Sequence, residues 1–112
     1  GFGSITFNSI VKVENTNNKI PTSFVLYKNY PNPFNPSTII KFAIPFESEV
    51  SLTIYNTIGQ KVETIVNEIL NTGNYEFNFN ASNLSSGVYY YELKAKNKTT
   101  DFIKTNKMLL IK

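Results

Sequence analysis

Hydrophobic and polar residues alternate along most of the chain beyond residue 38, with the period of two that marks β-strands whose faces differ. The most regular run is 74–80, in which three aromatic side chains alternate with Asn and Glu. Apolar positions in such runs predict a buried inner face. The residues predicted to point inward are Ile40, Phe42, Ile44, Val50, Leu52, Ile54, Tyr75, Phe77, Phe79, Tyr89, Tyr91, Leu93 and Ala95.

Turn-forming residues separate the alternating runs at intervals of roughly 8 to 12 residues, which is typical of a two-sheet sandwich. Residues 56–59 and 97–98 have the turn chemistry of two hairpins. The segment 62–70 comes closest to helical periodicity, but its β-branched residues favour a strand. With a short strand at 24–29, about seven strands follow Pro21. We therefore predict an all-β, immunoglobulin-like or fibronectin III-like antiparallel β-sandwich.

The first twenty residues differ from the rest of the chain. A short apolar patch is followed there by the polar run 14–18, which predicts an upstream linker or the end of a preceding region over 1–20 and a sandwich domain over 21–112. A length of 112 residues also allows only one domain of this kind. The first residues lack the charged-then-apolar order of a signal peptide, so we expect this piece not to be the amino end of an exported protein.

The composition argues against most catalytic and metal chemistry. Cysteine and histidine are absent, which removes thiolate nucleophiles, disulfides, the usual general base and the usual transition-metal ligand. All eleven basic residues are lysines and the net charge is only +3, so nucleic acid is not an expected partner. No apolar run reaches the roughly 20 residues that cross a bilayer. We expect no catalytic residue, no metal, no cofactor and no membrane span.

A proline-rich segment at 30–36 interrupts the pattern, because each proline removes a backbone donor and pushes its predecessor into extended conformation. Pro31, Pro33, Phe34 and Pro36 have two interpretations. They could form a docking surface, since a stiff segment loses little entropy on binding. They could instead form a rigid cover over one edge of the sandwich, with Phe34 as its plug, and the frequency of prolines at sheet edges favours this second interpretation.

A tyrosine corner, in which a phenol bonds back to upstream backbone, is predicted after Leu84 and Gly87. Spacing nominates Tyr90 for this bond. The alternating pattern instead places Tyr89 and Tyr91 inside the sandwich. The sequence leaves open which of the three phenols makes the bond.

Several segments, in this order, resemble the type IX secretion system carboxy-terminal sorting domain, type A, over about residues 21–112. They are YPNPFNPST at 30–38, IYN at 54–56, GQKV at 59–62, GNY at 73–75, ASNLSSGVY at 81–89 and KMLLIK at 107–112. The resemblance implies a module that ends a larger exported protein and is recognised in the periplasm by the outer-membrane translocon and its shuttle protein. It also implies a sortase-like protease that cleaves upstream of the domain, and a cargo that is released or joined to anionic lipopolysaccharide at the cell surface.

By the same resemblance, translocon recognition maps onto the start of the penultimate strand and onto the terminal strand. Truncation of the last few residues is expected to abolish export. Residues 97–101, where many relatives carry glycine, depart from the pattern at the last turn. The implied recognition residues are Gly87, Val88, Tyr89, Lys104, Lys107, Met108, Leu109, Leu110, Ile111 and Lys112.

The final hairpin is strongly basic, with six lysines and one aspartate between residues 94 and 112. Such a stripe could meet an acidic groove on the shuttle protein or anionic lipopolysaccharide. It could equally be a row of edge-strand lysines that prevents aggregation. The sequence does not separate these interpretations.

Two rival functions remain open at this stage. An accessory carbohydrate- or protein-binding sandwich of a secreted hydrolase would use surface aromatics such as Tyr27, Tyr55 or Tyr90 as stacking platforms, although tryptophan is absent. An enzyme would need a Ser-Lys pair or a carboxylate pair such as Glu47 and Glu49, which are predicted to lie on one face of a strand beside a proline turn and to be solvated. Sorting is the function that the resemblance favours.

Overall fold

A computed structural model describes residues 10–13 and 20–112, and in these residues the regular structure consists of eight β-strands without a helix. Seven of the strands follow Pro21, as predicted, and the eighth precedes it. The strands are β1 (Val11–Val13), β2 (Val25–Leu26), β3 (Ser37–Ile44), β4 (Ser48–Tyr55), β5 (Lys61–Leu70), β6 (Gly73–Asn80), β7 (Gly87–Lys96) and β8 (Asp101–Leu110).

The strands form two antiparallel sheets of four, which confirms the predicted sandwich class. The amino-terminal sheet has the order β1-β6-β3-β2 and the carboxy-terminal sheet the order β5-β4-β7-β8. In the second sheet β7 is central, whereas β8 lies at an edge. The carboxyl end of the chain is therefore one strand of a sheet and is held along one side by β7.

The core lies between the two sheets and contains all the residues that the alternating pattern placed inside, together with others that include Leu26, Phe34, Val66, Met108 and Leu110. Ile40, Phe42, Leu52 and Tyr91 are among the side chains with no measurable exposure, and every predicted inward residue is buried. Aromatic rings fill much of the space; Phe42 and Tyr75, for example, stack with centroids 5.4 Å apart. Since alternate residues of a strand point to opposite faces, one run of alternation was sufficient to assign each inner face.

The remaining sequence predictions had mixed outcomes. The strand predicted at 24–29 is ordered as a strand only at Val25–Leu26. Segment 62–70 belongs to β5, which confirms the strand interpretation over the helical one. β1 pairs with β6 through Val11–Val13, inside the segment predicted to be a linker. The boundary at residue 20 stays a prediction.

Candidate recognition surface

The residues implicated in recognition lie on the β7–β8 hairpin, and the register brings its two groups together. Gly87 is opposite Leu110, Val88 is opposite Leu109 and Tyr89 is opposite Met108. At the other end of the hairpin, the Asn97 side-chain oxygen accepts hydrogen bonds from the backbone N–H groups of Thr99 and Thr100. The turn that lacks glycine is therefore closed by an asparagine side chain.

The start of β7 is shaped by Gly87 and by a tyrosine corner. Gly87 has a φ of +150°, a region that residues with a Cβ rarely adopt. Two residues later, the Tyr89 hydroxyl donates a 2.7 Å hydrogen bond to the Ser85 carbonyl. Tyr89 therefore makes the corner, which answers the question that the sequence left open in favour of the alternating pattern over the spacing. Tyr90 points to the opposite face of the sheet, since alternate residues of a strand do so.

The proline segment lies against the carboxyl end of β8. Phe34 forms a parallel bridge with Leu110. The Phe34 N–H donates to the Leu109 carbonyl at 3.0 Å, and the Phe34 carbonyl accepts from the Ile111 N–H at 2.9 Å. The Asn32 side-chain oxygen accepts a 3.0 Å hydrogen bond from the Leu109 N–H. The outer edge of β8 is therefore occupied at its carboxyl end.

Burial divides the proline segment into an inner and an outer part. Phe34 is 2% exposed, with its ring 6.3 Å from that of Phe79, whereas Pro31 and Pro33 are exposed and Pro36 is half-buried. The Phe34 side chain thus enters the core while its backbone bonds to β8. We define residues 32–34 as the clamp.

Residues beyond β8 are tied to the loop that precedes β7. The Lys112 N–H donates to the Ser86 hydroxyl at 3.1 Å, and its ammonium group donates to the Ser82 carbonyl at 2.7 Å. Sequence reasoning did not identify Asn32, Ser82 or Ser86 as partners of the tail. Their residue types permit hydrogen bonds, but nothing in the linear pattern shows which backbone groups they meet.

Behind the middle of the hairpin, the Tyr91 hydroxyl lies at the centre of a hydrogen-bond network. It donates to the Tyr27 carbonyl at 2.8 Å and accepts from the Asn29 N–H at 2.8 Å and from the Asn106 side-chain amide at 3.3 Å. Burial raises the pKa of Tyr91 above its ordinary value of 10.0, while the bonds from Asn106 and Asn29 act in the opposite direction. The network links both sheets and supplies the partner of the Asn29 N–H, whereas the Tyr27 carbonyl also accepts from the Asn106 side-chain amide at 3.4 Å.

The implicated recognition residues divide into accessible and buried sets. Tyr89, Met108 and Leu110 are buried and contact the core, so they can act on a partner only through the fold. Gly87 and Val88 are half-buried. The exposed members, which a partner could touch directly, are Lys104, Lys107, Leu109, Ile111 and Lys112.

The positive charge of the hairpin is only weakly offset. The Lys94 ammonium nitrogen lies 3.8 Å from a carboxylate oxygen of Glu92. This ion pair is weak because the Lys94 side chain is more than half exposed. The exposed Lys104 and Lys107 follow along β8. The hairpin therefore presents lysine ammonium groups to solvent beside the edge of the sheet.

The residues of the rival functions are only partly brought together. Glu49 is exposed on β4 and Glu47 is exposed just before that strand begins. The prediction that the two share a strand was therefore wrong. Tyr55 and Tyr90 are opposite one another on the carboxy-terminal sheet, whereas Tyr27 lies beside β3 of the other sheet. Among the residues that the structure describes, no cluster of Asp and Glu could hold a metal ion and no helix could span a membrane.

Comparisons with known proteins give a family and a fold. The family described as "Secretion system C-terminal sorting domain" matches residues 28–108. A solved structure with a similar fold is that of PorZ, described as an essential bacterial surface component of the type-IX secretion system of Porphyromonas gingivalis. It is 21% identical with a TM-score of 0.50, and the match covers 78% of this chain and 11% of that chain. No curated protein matches.

Proposed function

The chain belongs to the family of secretion system C-terminal sorting domains, and on this basis we propose that it directs a preceding cargo protein through the type IX secretion system. The family match over residues 28–108 is the observation that carries the proposal. A sorting domain is not an enzyme, and its work is to be recognised by other proteins. The cargo is then delivered across the outer membrane to the cell surface or released.

The recognition surface in this proposal is the exposed part of the β7–β8 hairpin together with the tail. The support is its accessibility: Leu109 on β8 and Ile111 and Lys112 just beyond it are exposed, while Met108 and Leu110 anchor the strand in the core. A recognition surface that is held in one conformation loses little conformational entropy when a partner binds it. Cleavage upstream by a sortase-like protease and attachment to anionic lipopolysaccharide are further parts of the proposal.

A secretion assay tests the sorting role. A reporter with a periplasmic signal peptide is fused ahead of the full 112-residue chain and expressed in a host that has the translocon. Removal of residues 108–112 is expected to stop export, but it also removes the buried Met108 and Leu110 and so destabilises the fold. A sharper variant changes exposed groups alone, Ile111→Ser with Lys112→Ser, and is expected to reduce export while the circular dichroism spectrum stays that of a β-protein.

The matched control changes the same residue types elsewhere, Ile69→Ser with Lys41→Ser, both of which are exposed on other strands. Export of the control is expected to equal that of the unmodified fusion. Retention of the unmodified fusion in the periplasm would contradict the proposed function. Unchanged export of the tail variant, combined with measurable binding to a polysaccharide array, would favour the carbohydrate-binding rival.

A further inference from the structure

The outer edge of β8 is hydrogen-bonded to the clamp at one end, and the Asn106 side chain bonds to the Leu26 and Tyr27 carbonyls beside its middle. Opposed residues in an antiparallel pair alternate between those whose backbone groups face each other and those whose groups point away. Leu109 bonds through both its N–H and its carbonyl to the clamp, on the side away from β7. Every second residue before it therefore also directs its backbone groups outward.

By this alternation, Ile103, Thr105 and Lys107 direct an N–H and a carbonyl each toward the outer edge. Within residues 10–13 and 20–112, no backbone or side chain forms a hydrogen bond with these groups. All three residues are exposed, and the Ile103 side chain is 62% exposed. The stretch 103–107, which we term the open edge, presents unpaired donors and acceptors with the spacing of a strand.

The charge around the open edge limits what can occupy it. Lys94 is opposite Ile103, Lys104 and Lys107 lie on the strand itself, and the acidic groups in this register are Glu92 opposite Thr105 and Asp101 opposite Lys96. A second copy of the chain pairing here would bring the two lysine rows together, which is unfavourable. An extended segment with acidic side chains would gain both backbone hydrogen bonds and favourable charge contacts.

We propose that the open edge accepts an extended, acidic segment of a secretion-machinery protein as an additional strand. This inference rests on the proposed sorting function and specifies how the domain would be held. The tail beyond residue 108 does not accept the added strand, because the clamp already occupies that part of the edge. The clamp instead ends the open edge and sets its length.

The opposite edge of the same sheet supplies a matched control. Strand β4 lies between β7 and β5, and the backbone groups of successive β4 residues point alternately to one and to the other. The backbone groups of Val50 and Leu52 face β5. Their partners Glu68 and Val66 face back toward β4, so Asn67 between them directs its N–H outward. Asn67 is exposed, as Thr105 is.

The test uses proline to remove one outward N–H from each edge without removing a bond inside the sheet. Thr105→Pro and Asn67→Pro are introduced into the reporter fusion, and their melting temperatures are compared to show that both fold. Thr105→Pro is expected to lower the export rate about tenfold, the effect of losing about 1.4 kcal/mol of binding, whereas Asn67→Pro leaves it unchanged. Equal export of the two proline variants would overturn the inference.

A charge variant keeps the test decisive if Thr105→Pro does not fold. The double variant Lys104→Glu with Lys107→Glu is expected to reduce export. The control, Lys28→Glu with Lys41→Glu, has the same net charge but changes exposed lysines near the other sheet, and its export is expected to stay unchanged. Equal export of both charge variants would contradict an acidic partner. Failure of the unmodified fusion to be exported would instead contradict the sorting function, so the two failures are distinguishable.

Discussion

The two ends of β8 follow the same alternating pattern but have different surroundings. Residues 103–107 form the open edge, whereas Leu109 and Ile111 bond to the clamp. The clamp lies more than seventy residues earlier in the chain than the part of β8 it covers. Accessibility of a strand is thus decided by what packs against its edge, and the same alternation can produce a protected segment and an available one.

The largest effect is expected from removing the anchor of the clamp. Phe34→Ala deletes a side chain that is 2% exposed and leaves a cavity in the core. The free energy of unfolding is expected to fall by about 3–5 kcal/mol, as measured by chemical denaturation. Tyr30→Ala, at an 80% exposed position in the same segment, is expected to change it by less than about 0.5 kcal/mol. Similar losses for both variants would show that Phe34 does not anchor the clamp.

An intermediate effect is expected from the network behind the open edge. Tyr91→Phe removes the hydroxyl that bonds to Tyr27, Asn29 and Asn106, leaving a buried N–H and a carbonyl without this partner. The free energy of unfolding is expected to fall by about 1–3 kcal/mol. Tyr90→Phe, on the opposite face of the same strand, is the control and is expected to be nearly neutral.

The pH dependence gives Tyr91→Phe a second measurement. Because burial raises the pKa of Tyr91 in the folded state, the unfolded state releases the phenol proton first as pH rises. The stabilisation from this group is therefore complete below pH 10.0, the ordinary value, and is lost as pH rises through the higher folded pKa. Tyr91→Phe is expected to lose stability less steeply above that pH, and an unchanged slope would exclude Tyr91 as the source.

The smallest effect is expected where the clamp meets the backbone of β8. Asn32→Ala removes the acceptor of the Leu109 N–H, at a cost of about 0.5–1.5 kcal/mol. Hydrogen exchange provides the sharper measurement, since the Leu109 amide should exchange slowly in the unmodified protein and approach the rate of the outward Thr105 amide in the variant. Asn35→Ala, at an exposed neighbouring position, should leave both rates unchanged. Fast exchange at Leu109 in the unmodified protein would contradict the clamp.

Local regularity explains which parts of the fold could be predicted. The inward orientation of Tyr75, Phe77 and Phe79 could be predicted because a strand has only two faces and only one of them is buried in this sandwich. Glycine and asparagine at the turns identified the hairpins for a similarly local reason. The family resemblance identified the residues of the hairpin but carried no information on which of them a partner could reach.

Two outcomes could not be read from the local pattern alone. Spacing nominated Tyr90 for the tyrosine corner, but the Ser85 carbonyl meets Tyr89, whose side chain points toward the core. The strand predicted at 24–29 is short because regular pairing of Val25 and Leu26 with β3 is soon followed by the segment that approaches Tyr91. The corner joins residues four apart, whereas the length of β2 depends on distant segments.

The amino-acid sequence alone determined the strands from β3 onward, their inner faces, the hairpins and the family, because each depends on residues that are neighbours or follow a short period. Only the tertiary structure decided that the clamp covers one end of β8, that Tyr89 forms the corner and that residues 103–107 stay open. Backbone donors and acceptors are the same in every residue, so the sequence does not mark which of them will be paired. Their pairing depends on how distant segments pack once the core has formed.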